Sequence, residues 1–258
     1  MKVILLAGGL GTRLSEETKK IPKPLVKIGK YPILLHIMNI YSFYGFNDFI
    51  ISGGYKVNEI KKYFKNFLDF KSIKKNKNQK IFFSKKKNWK VNIQFTGLNT
   101  NTGGRLLKLK KILSSEKKFF LTYGDGLADI NIKKVLNFHE KHKLVSTVTA
   151  VKPPARFGVL KISKIKVKKF QEKVDNNDAW INGGFFIFNY DIFKYLKKAT
   201  DSLELNVLTK LAENQQLAAY KHNDFWLPMD TLRDKIKLNE LLKKDKAPWK
   251  FFHEKKQK

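Results

Sequence analysis

Residues 2–25, KVILLAGGLGTRLSEETKKIPKPL, constrain the fold more tightly than any other stretch. The apolar run from Val3 to Ala7 is too short for a buried helix and rich in branched residues. It therefore reads as a buried parallel strand. It passes straight into Gly8-Gly9-Leu10-Gly11-Thr12-Arg13. Glycines there permit positive φ and let a ligand approach main-chain N–H groups with no Cβ in the way. Consecutive N–H groups in such a turn form an anion nest. Arg13 adds a guanidinium fork suited to phosphate oxygens. Lys23 follows between Pro22 and Pro24, a second cation on a segment whose φ angles are largely preset.

Two glycine motifs are excluded. G-x-x-x-x-G-K-[ST] is absent, and G-x-G-x-x-G finds Leu14 where its third glycine is needed. The chain of 258 residues, 42% hydrophobic, is long enough for one large α/β domain with an extension. It has no cysteine, which rules out disulfides and thiolate metal sites. No apolar run reaches the roughly 20 residues that span a bilayer, and the first residues do not read as a signal peptide. The expectation is a cytoplasmic protein with no membrane partner.

The formal net charge of +31 invites a nucleic-acid reading. Against it, only four of 53 lysines and arginines are arginine, the residue that makes bidentate base contacts. Lysine is spread through nearly every segment, so the excess reads as a compositional bias and no nucleic-acid partner is expected. In such a chain Arg13, Arg105, Arg156 and Arg233 mark segments where lysine will not serve.

The coarse pattern alternates strand and helix, which predicts a parallel sheet with right-handed crossovers and ligands at the carboxyl ends of its strands. Helices are expected at 33–44, with Pro32 as first residue and Gly45 as stop, and at 57–68 and 132–142. His36 is expected to be packed, not catalytic. Strands are expected at 48–52, 91–95, 118–123 and 145–151, and residues 71–90 as a solvated basic excursion or hairpin. The hydroxyls and glycines of Thr96–Arg105 suit a phosphate at a helix start. Asp125, between Gly124 and Gly126 at a strand end, suits a hard cation beside a phosphate. Later segments read as strands at a mixed or antiparallel edge, with helices near 190–198 and 203–213. Asp230 precedes a helix, where it is either a second metal ligand or part of a cap.

L-A-G-G-L-G-T-R-L with a proline-flanked lysine resembles the sugar nucleotidyltransferase (nucleotide-diphospho-sugar pyrophosphorylase) family. P-I-L-x-H-I-M, T-G-G-R, T-Y-G-D-G-x-A-D, P-P-x-R-F-G, F-Q-E-K, I-N-G-G-F-F, F-W-x-P-M-D-T-L-R-D and K-A-P-W-K follow in order from residue 2 to about 250. Together with L-S-E-E-T they are similar to its branch of glucose-1-phosphate cytidylyltransferases. The resemblance implies a Rossmann-like three-layer α/β/α fold with a mostly parallel mixed central sheet and small antiparallel strands. It implies one nucleotidyltransferase domain: a nucleotide-binding half to about 130, a sugar-phosphate half over 131–245 and an extension over 246–258.

It also implies the substrates CTP and glucose 1-phosphate, Mg²⁺ as cofactor, and a homo-oligomer. Leu6, Ala7, Gly8, Gly9, Leu10, Gly11, Thr12, Arg13, Thr100, Arg105 and Gly124 would bind nucleotide. Glu172, Lys173 and Asn182 would bind the sugar phosphate. Asp125 and Asp230 would hold the metal, with Arg13, Lys23 and Asp125 as the catalytic set. Relatives using UTP, dTTP or another sugar 1-phosphate are the alternative within the class; a silent regulatory member or a basic nucleic-acid binder lies outside it. Three departures stand out: Ile21 and Leu25 around the P-K-P, Val174 after F-Q-E-K, and Asn206-Val207-Leu208, which lacks an acid and a proline.

Overall fold

The computed structural model describes residues 1–67, 70–75, 78–153, 159–163, 166–171 and 179–250. Strand β1 (Val3–Ala7) is buried along its whole length. Val3, Leu5 and Ala7 enter one core, and Ile4 and Leu6 enter a second on the opposite face. A strand covered on both faces needs the unbroken apolar run seen in the sequence. After α1 (Ser15–Thr18) and the small ladder of β2 (Lys27–Ile28) with β3 (Tyr31–Pro32), α2 (Ile33–Phe43) packs its apolar residues into the first core. Pro32 stands just before this helix, not inside it. Gly45, at φ +90°, stops it. His36 is buried, with Nε2 3.0 Å from the carbonyl oxygen of Ile28.

β4 (Asp48–Gly53) and α3 (Val57–Asn66) follow. The lysine-rich stretch is a hairpin of β5 (Lys71–Lys75) and β6 (Gln79–Ser84). It does not lie over the surface but pairs onto β7 (Trp89–Phe95) and widens the main sheet. Its aromatic residues decide this: Trp89 and Phe82 are buried, and Trp89 meets Phe49 with ring centroids 5.4 Å apart. Lysine dominates the spelling of this stretch, but the buried rings provide the driving force.

Next come α4 (Thr102–Leu107), β8 (Lys118–Tyr123), β9 (Gly126–Ala128), α5 (Ile132–His142) and β10 (Ser146–Val151). β11 (Val159–Ser163) and β12 (Lys166–Gln171) pair with each other as a separate antiparallel hairpin. β13 (Ile181–Asn189) returns to the main sheet. Where helices were expected near 190–198 and 203–213, there are a 3₁₀ turn, Tyr190–Lys194, and a π-helical turn, Leu203–Leu208, leading into α6 (Thr209–Glu213). β14 (Leu217–His222), β15 (Trp226–Pro228) and α7 (Leu232–Lys243) complete the described elements.

The main sheet has nine strands in the order β14-β10-β13-β8-β1-β4-β7-β6-β5. Its centre, β8-β1-β4-β7, is parallel, and β13 runs antiparallel between β8 and β10. The chain leaves β1 toward β4 and β7 on one side, then returns to β8 on the other. The strand order therefore reverses at β1, and a crevice opens between the turns that follow β1 and β8.

Candidate active site

The turn after β1 is held by local bonds. Gly11 takes φ +69°, and the chain enters a 3₁₀ turn, Thr12–Leu14, whose Leu14 is buried as an anchor. The Thr18 hydroxyl donates to the carbonyls of Gly11 and Leu14, both at 3.0 Å, closing the loop from below. Arg105 ties it to its neighbours. Its guanidinium donates to the carbonyls of Gly8 (2.9 Å) and Gly97 (2.9 Å), to Thr96 Oγ1 (2.8 Å), and at longer range to Gly53 and Leu98. Burial pushes this guanidinium below its ordinary value. One buried side chain thus joins the turn after β1, the end of β4 and the turn after β7, a task suited to a planar five-donor fork.

Lys23 sits on the expected stiff tether. Pro22 is extended and Pro24 is buried in the 3₁₀ turn Lys23–Leu25. The Lys23 Nζ donates to Asp125 Oδ2 at 2.6 Å and to Asp230 Oδ1 at 2.7 Å. Burial alone would pull its pKa down, but the two carboxylates outweigh burial and hold it above the ordinary lysine value. Arg13, far more exposed, reaches Asp230 Oδ2 at 3.4 Å.

Asp125 and Asp230 are brought together by the ladder of β9 with β15, which pairs Gly126 with Pro228, and by the Met229 N–H donating to the Asp125 carbonyl at 2.8 Å. The capping role open to Asp230 is filled by others. Thr231 caps α7, and Asp234 closes a reciprocal capping box with it. The Asp230 carboxylate is therefore turned toward Lys23.

Two cavities meet here. The first, about 320 Å³, is lined by Leu6, Ala7, Gly8, Gly9, Gly11, Lys23, Pro24, Thr100, Asn101, Thr102, Arg105, Tyr123, Gly124 and Asp125. The second, about 240 Å³, is lined by Thr122, Tyr123, Asp125, Gly126, Asn182, Gly183, Gly184, Trp226, Pro228 and Asp230. Tyr123 and Asp125 belong to both. The structure thus gathers Leu6–Gly9, Gly11, Lys23, Thr100, Arg105, Gly124 and Asp125 at one cavity and Asn182, Asp125 and Asp230 at the other. Leu10, Thr12 and Arg13 flank the first without lining it. Glu172, Lys173, Arg156 and Val174 lie outside the described residues. Arg105 is buried at the site, and Arg233 is exposed.

Gly103 and Gly104 are set by packing. They lie inside α4, and a Cβ on Gly104 would stand 2.0 Å from the Ala199 carbonyl oxygen. They pack closely against the 199–201 backbone, and the Gly104 N–H donates to the Asp201 carbonyl at 3.0 Å. Tyr123 and Glu204 carried no individual expectation. Tyr123 adjoins Gly124-Asp125, so its strand-end position was a usable signal. Glu204 is 81 residues from the tyrosine it binds, and no local pattern reports it.

A partly buried ammonium, two carboxylates, a glycine turn and two adjoining cavities suit the joining of two phosphorylated substrates. The nucleotidyl transferase family model matches residues 2–244. The chain belongs to the nucleotidyl transferase family. Within this enzyme family it is 44% identical over 254 residues to the glucose-1-phosphate cytidylyltransferase of Salmonella typhi, covering 97% of this chain and 99% of that one. The Salmonella typhimurium enzyme of the same name is equally similar, with the same coverage. In three dimensions the chain is similar to HddC from Yersinia pseudotuberculosis, with a TM-score of 0.69 at 24% identity over 93% of this chain and 99% of that one. That neighbour supports the nucleotidyltransferase fold.

Proposed function

We propose that the chain transfers the cytidylyl group of CTP to α-D-glucose 1-phosphate, giving CDP-glucose and pyrophosphate. The observation that carries this reading is the junction at Asp125. Lys23, Asp125 and Asp230 converge where a cavity walled by the glycine turn meets one bearing Asn182. Near end-to-end similarity to the Salmonella enzymes supplies the choice of base and sugar.

A phosphate oxygen of glucose 1-phosphate attacks the α-phosphorus in line. A new P–O bond forms as the bond to the β-phosphate oxygen breaks, and pyrophosphate leaves with that electron pair. No enzyme nucleophile is required, so the protein positions the partners and neutralises charge. The N–H groups of residues 8–12 receive the triphosphate. Lys23 stays protonated and faces the α-phosphate, where negative charge builds. The exposed Arg13 takes the departing pyrophosphate. Asn182, with Glu172 and Lys173, receives the glucosyl phosphate.

The donor set at the junction suits a hard divalent cation: two carboxylates, no sulfur, and only one of the two negative charges offset by the Lys23 ammonium. Asp125 and Asp230 would hold Mg²⁺ there, and it would neutralise phosphate charge as a Lewis acid. The reading carries with it a homo-oligomer, a cytoplasmic setting, a division into nucleotide-binding and sugar-phosphate-binding halves, and use of the product in CDP-linked deoxysugar synthesis for surface polysaccharide.

The test is pyrophosphate release with glucose 1-phosphate and Mg²⁺, run in parallel with CTP, UTP, dTTP and ATP. Release with CTP well above the others is expected. Release with another nucleotide alone would overturn the base, and release with none would overturn the reaction.

A further inference from the structure

The wall between the two cavities contains a hydrogen-bonded chain that runs from Asn182 to Glu204, a residue to which the reaction above gives no role. The Tyr123 hydroxyl donates to Glu204 Oε1 at 2.5 Å. The Asn182 Nδ2 donates to the Tyr123 hydroxyl at 3.2 Å, and Asn182 Oδ1 accepts from the Gly184 N–H at 2.8 Å. On its other oxygen, Glu204 accepts from Thr102 Oγ1 and Ser202 Oγ, both at 2.7 Å. The Tyr123 ring has no freedom to leave this chain. It packs edge-on against Phe186 and fills the space that a side chain on Gly184 would take, its Cδ2 lying 2.4 Å from where a Cβ would stand.

Proton direction along this chain is fixed by chemistry. An ionised carboxylate only accepts, and a tyrosine hydroxyl has one proton to give. Tyr123 must therefore donate to Glu204, which leaves its oxygen to accept from Asn182. The Asn182 amide is then set at both ends, nitrogen toward Tyr123 and oxygen toward Gly184, with a second N–H hydrogen left over at the second cavity. Burial would raise the Glu204 pKa, but its hydroxyl donors outweigh burial and lower it, keeping the group ionised.

We infer that Glu204 is a positioning residue for the sugar phosphate, acting through the Tyr123 hydroxyl to fix how Asn182 presents its amide to the second cavity. The inference rests on the proposed reaction for the identity of the sugar phosphate. Glu204→Gln is the informative variant. A glutamine keeps the shape but brings two N–H donors. Facing them toward Thr102 and Ser202 would deprive two hydroxyls of an acceptor, whereas facing them toward Tyr123 deprives one. The amide nitrogen therefore turns to Tyr123, where it competes with Asn182 for the same oxygen.

The experiment is steady-state kinetics of Glu204→Gln, Tyr123→Phe and the double variant, with thermal melting of each. In both single variants KM for glucose 1-phosphate is expected to rise about tenfold, roughly 1.4 kcal/mol. KM for CTP is expected to stay within about twofold, and melting within about 3 °C. Because both changes break one chain, the double variant is expected to match the worse single variant. An unchanged glucose 1-phosphate KM, an equal rise for both substrates, or losses that multiply in the double variant would each overturn the inference.

A readout free of substrate separates this from failure of the reaction itself. The side-chain amide resonances of Asn182, assigned by their loss in Asn182→Asp, are expected to shift in Glu204→Gln and Tyr123→Phe. Unmoved resonances defeat the positioning role whatever the wild-type enzyme turns over. Shifted resonances with an inactive wild type sustain it and defeat only the proposed reaction.

Discussion

The carboxylates of Asp125 and Asp230, which are 105 positions apart in the sequence, meet on one ammonium group, 2.6 and 2.7 Å from the Nζ of Lys23. Each is only partly buried, so their worth to stability is screened and small, while their worth to a cation held between them is large. Asp125→Asn and Asp230→Asn are each expected to lower kcat/KM by roughly 10³-fold, the several kcal/mol that metal-assisted charge neutralisation supplies. Melting should move by only a few degrees. Chelator should abolish wild-type turnover and added Mg²⁺ restore it. Pyrophosphate-release kinetics and calorimetry check these outcomes, and near-normal rates in either variant would remove the metal assignment.

Gly9 and Gly104 are both glycines of motifs, yet they predict opposite failures. A Cβ on Gly9 meets nothing within 4 Å, since the space beyond it is the first cavity; a Cβ on Gly104 strikes the Ala199 carbonyl. Gly9→Ala is therefore expected to melt like wild type and to raise KM for CTP about tenfold or more. Gly104→Ala is expected to cost about 2 kcal/mol or more, as overpacking against fixed backbone does, and to fall in melting temperature. Differential scanning calorimetry beside CTP-dependent kinetics separates the two.

Arg105→Lys changes no formal charge, but it should not be tolerated. An ammonium on a flexible stem cannot span the carbonyls of Gly8 and Gly97 and the Thr96 hydroxyl that the guanidinium joins. Leaving one or two buried acceptors unpaired costs about 1–3 kcal/mol each. A fall in melting temperature of about 5–10 °C is expected. A lysine variant that melts with wild type would show that these turns hold together without the fork.

His222 and Asp129 give a pH dependence with a definite sign. Burial would lower the His222 pKa, but the Asp129 carboxylate 3.0 Å away and the Phe225 carbonyl raise it above its ordinary value. A raised folded-state pKa means the contribution is fully present below the unfolded value and is lost as pH rises through the folded one. The melting gap between wild type and Asp129→Asn should thus widen from pH 8 to pH 5.5. A gap that narrows over this range would contradict the pairing. Melting curves of both proteins across that range provide the check.

Much of the site was legible in the sequence because its parts are local. A strand, a glycine turn and a proline-flanked lysine lie within 25 residues, and Asp125 sits between glycines at a strand end. The resemblance to known transferases added Asp230 and Asn182, which spacing alone left open between cap, ligand and surface. Long-range contacts escaped. Glu204 serves the site through a π-helical turn that no period announces, and the packing of Gly104 against the 199–201 backbone has no local signal. The hairpin at 71–84 misled for another reason: charge counts the side chains facing water, whereas Phe82 and Trp89 decide where the strands pack.

The strand order has a consequence for the timing of assembly. β1, β4, β7, β6 and β5 are neighbours in the sheet and all lie within the first 95 residues, so this half can pair while the ribosome is still adding the rest. β8 then docks on the free edge of β1 and brings Asp125, whereas Asp230 arrives 207 residues after the lysine it binds. A nascent chain therefore displays its glycine turn long before it can complete the acidic pair. The three-group junction of Lys23 with Asp125 and Asp230 thus exists only once residue 230 has been made and folded back onto β9.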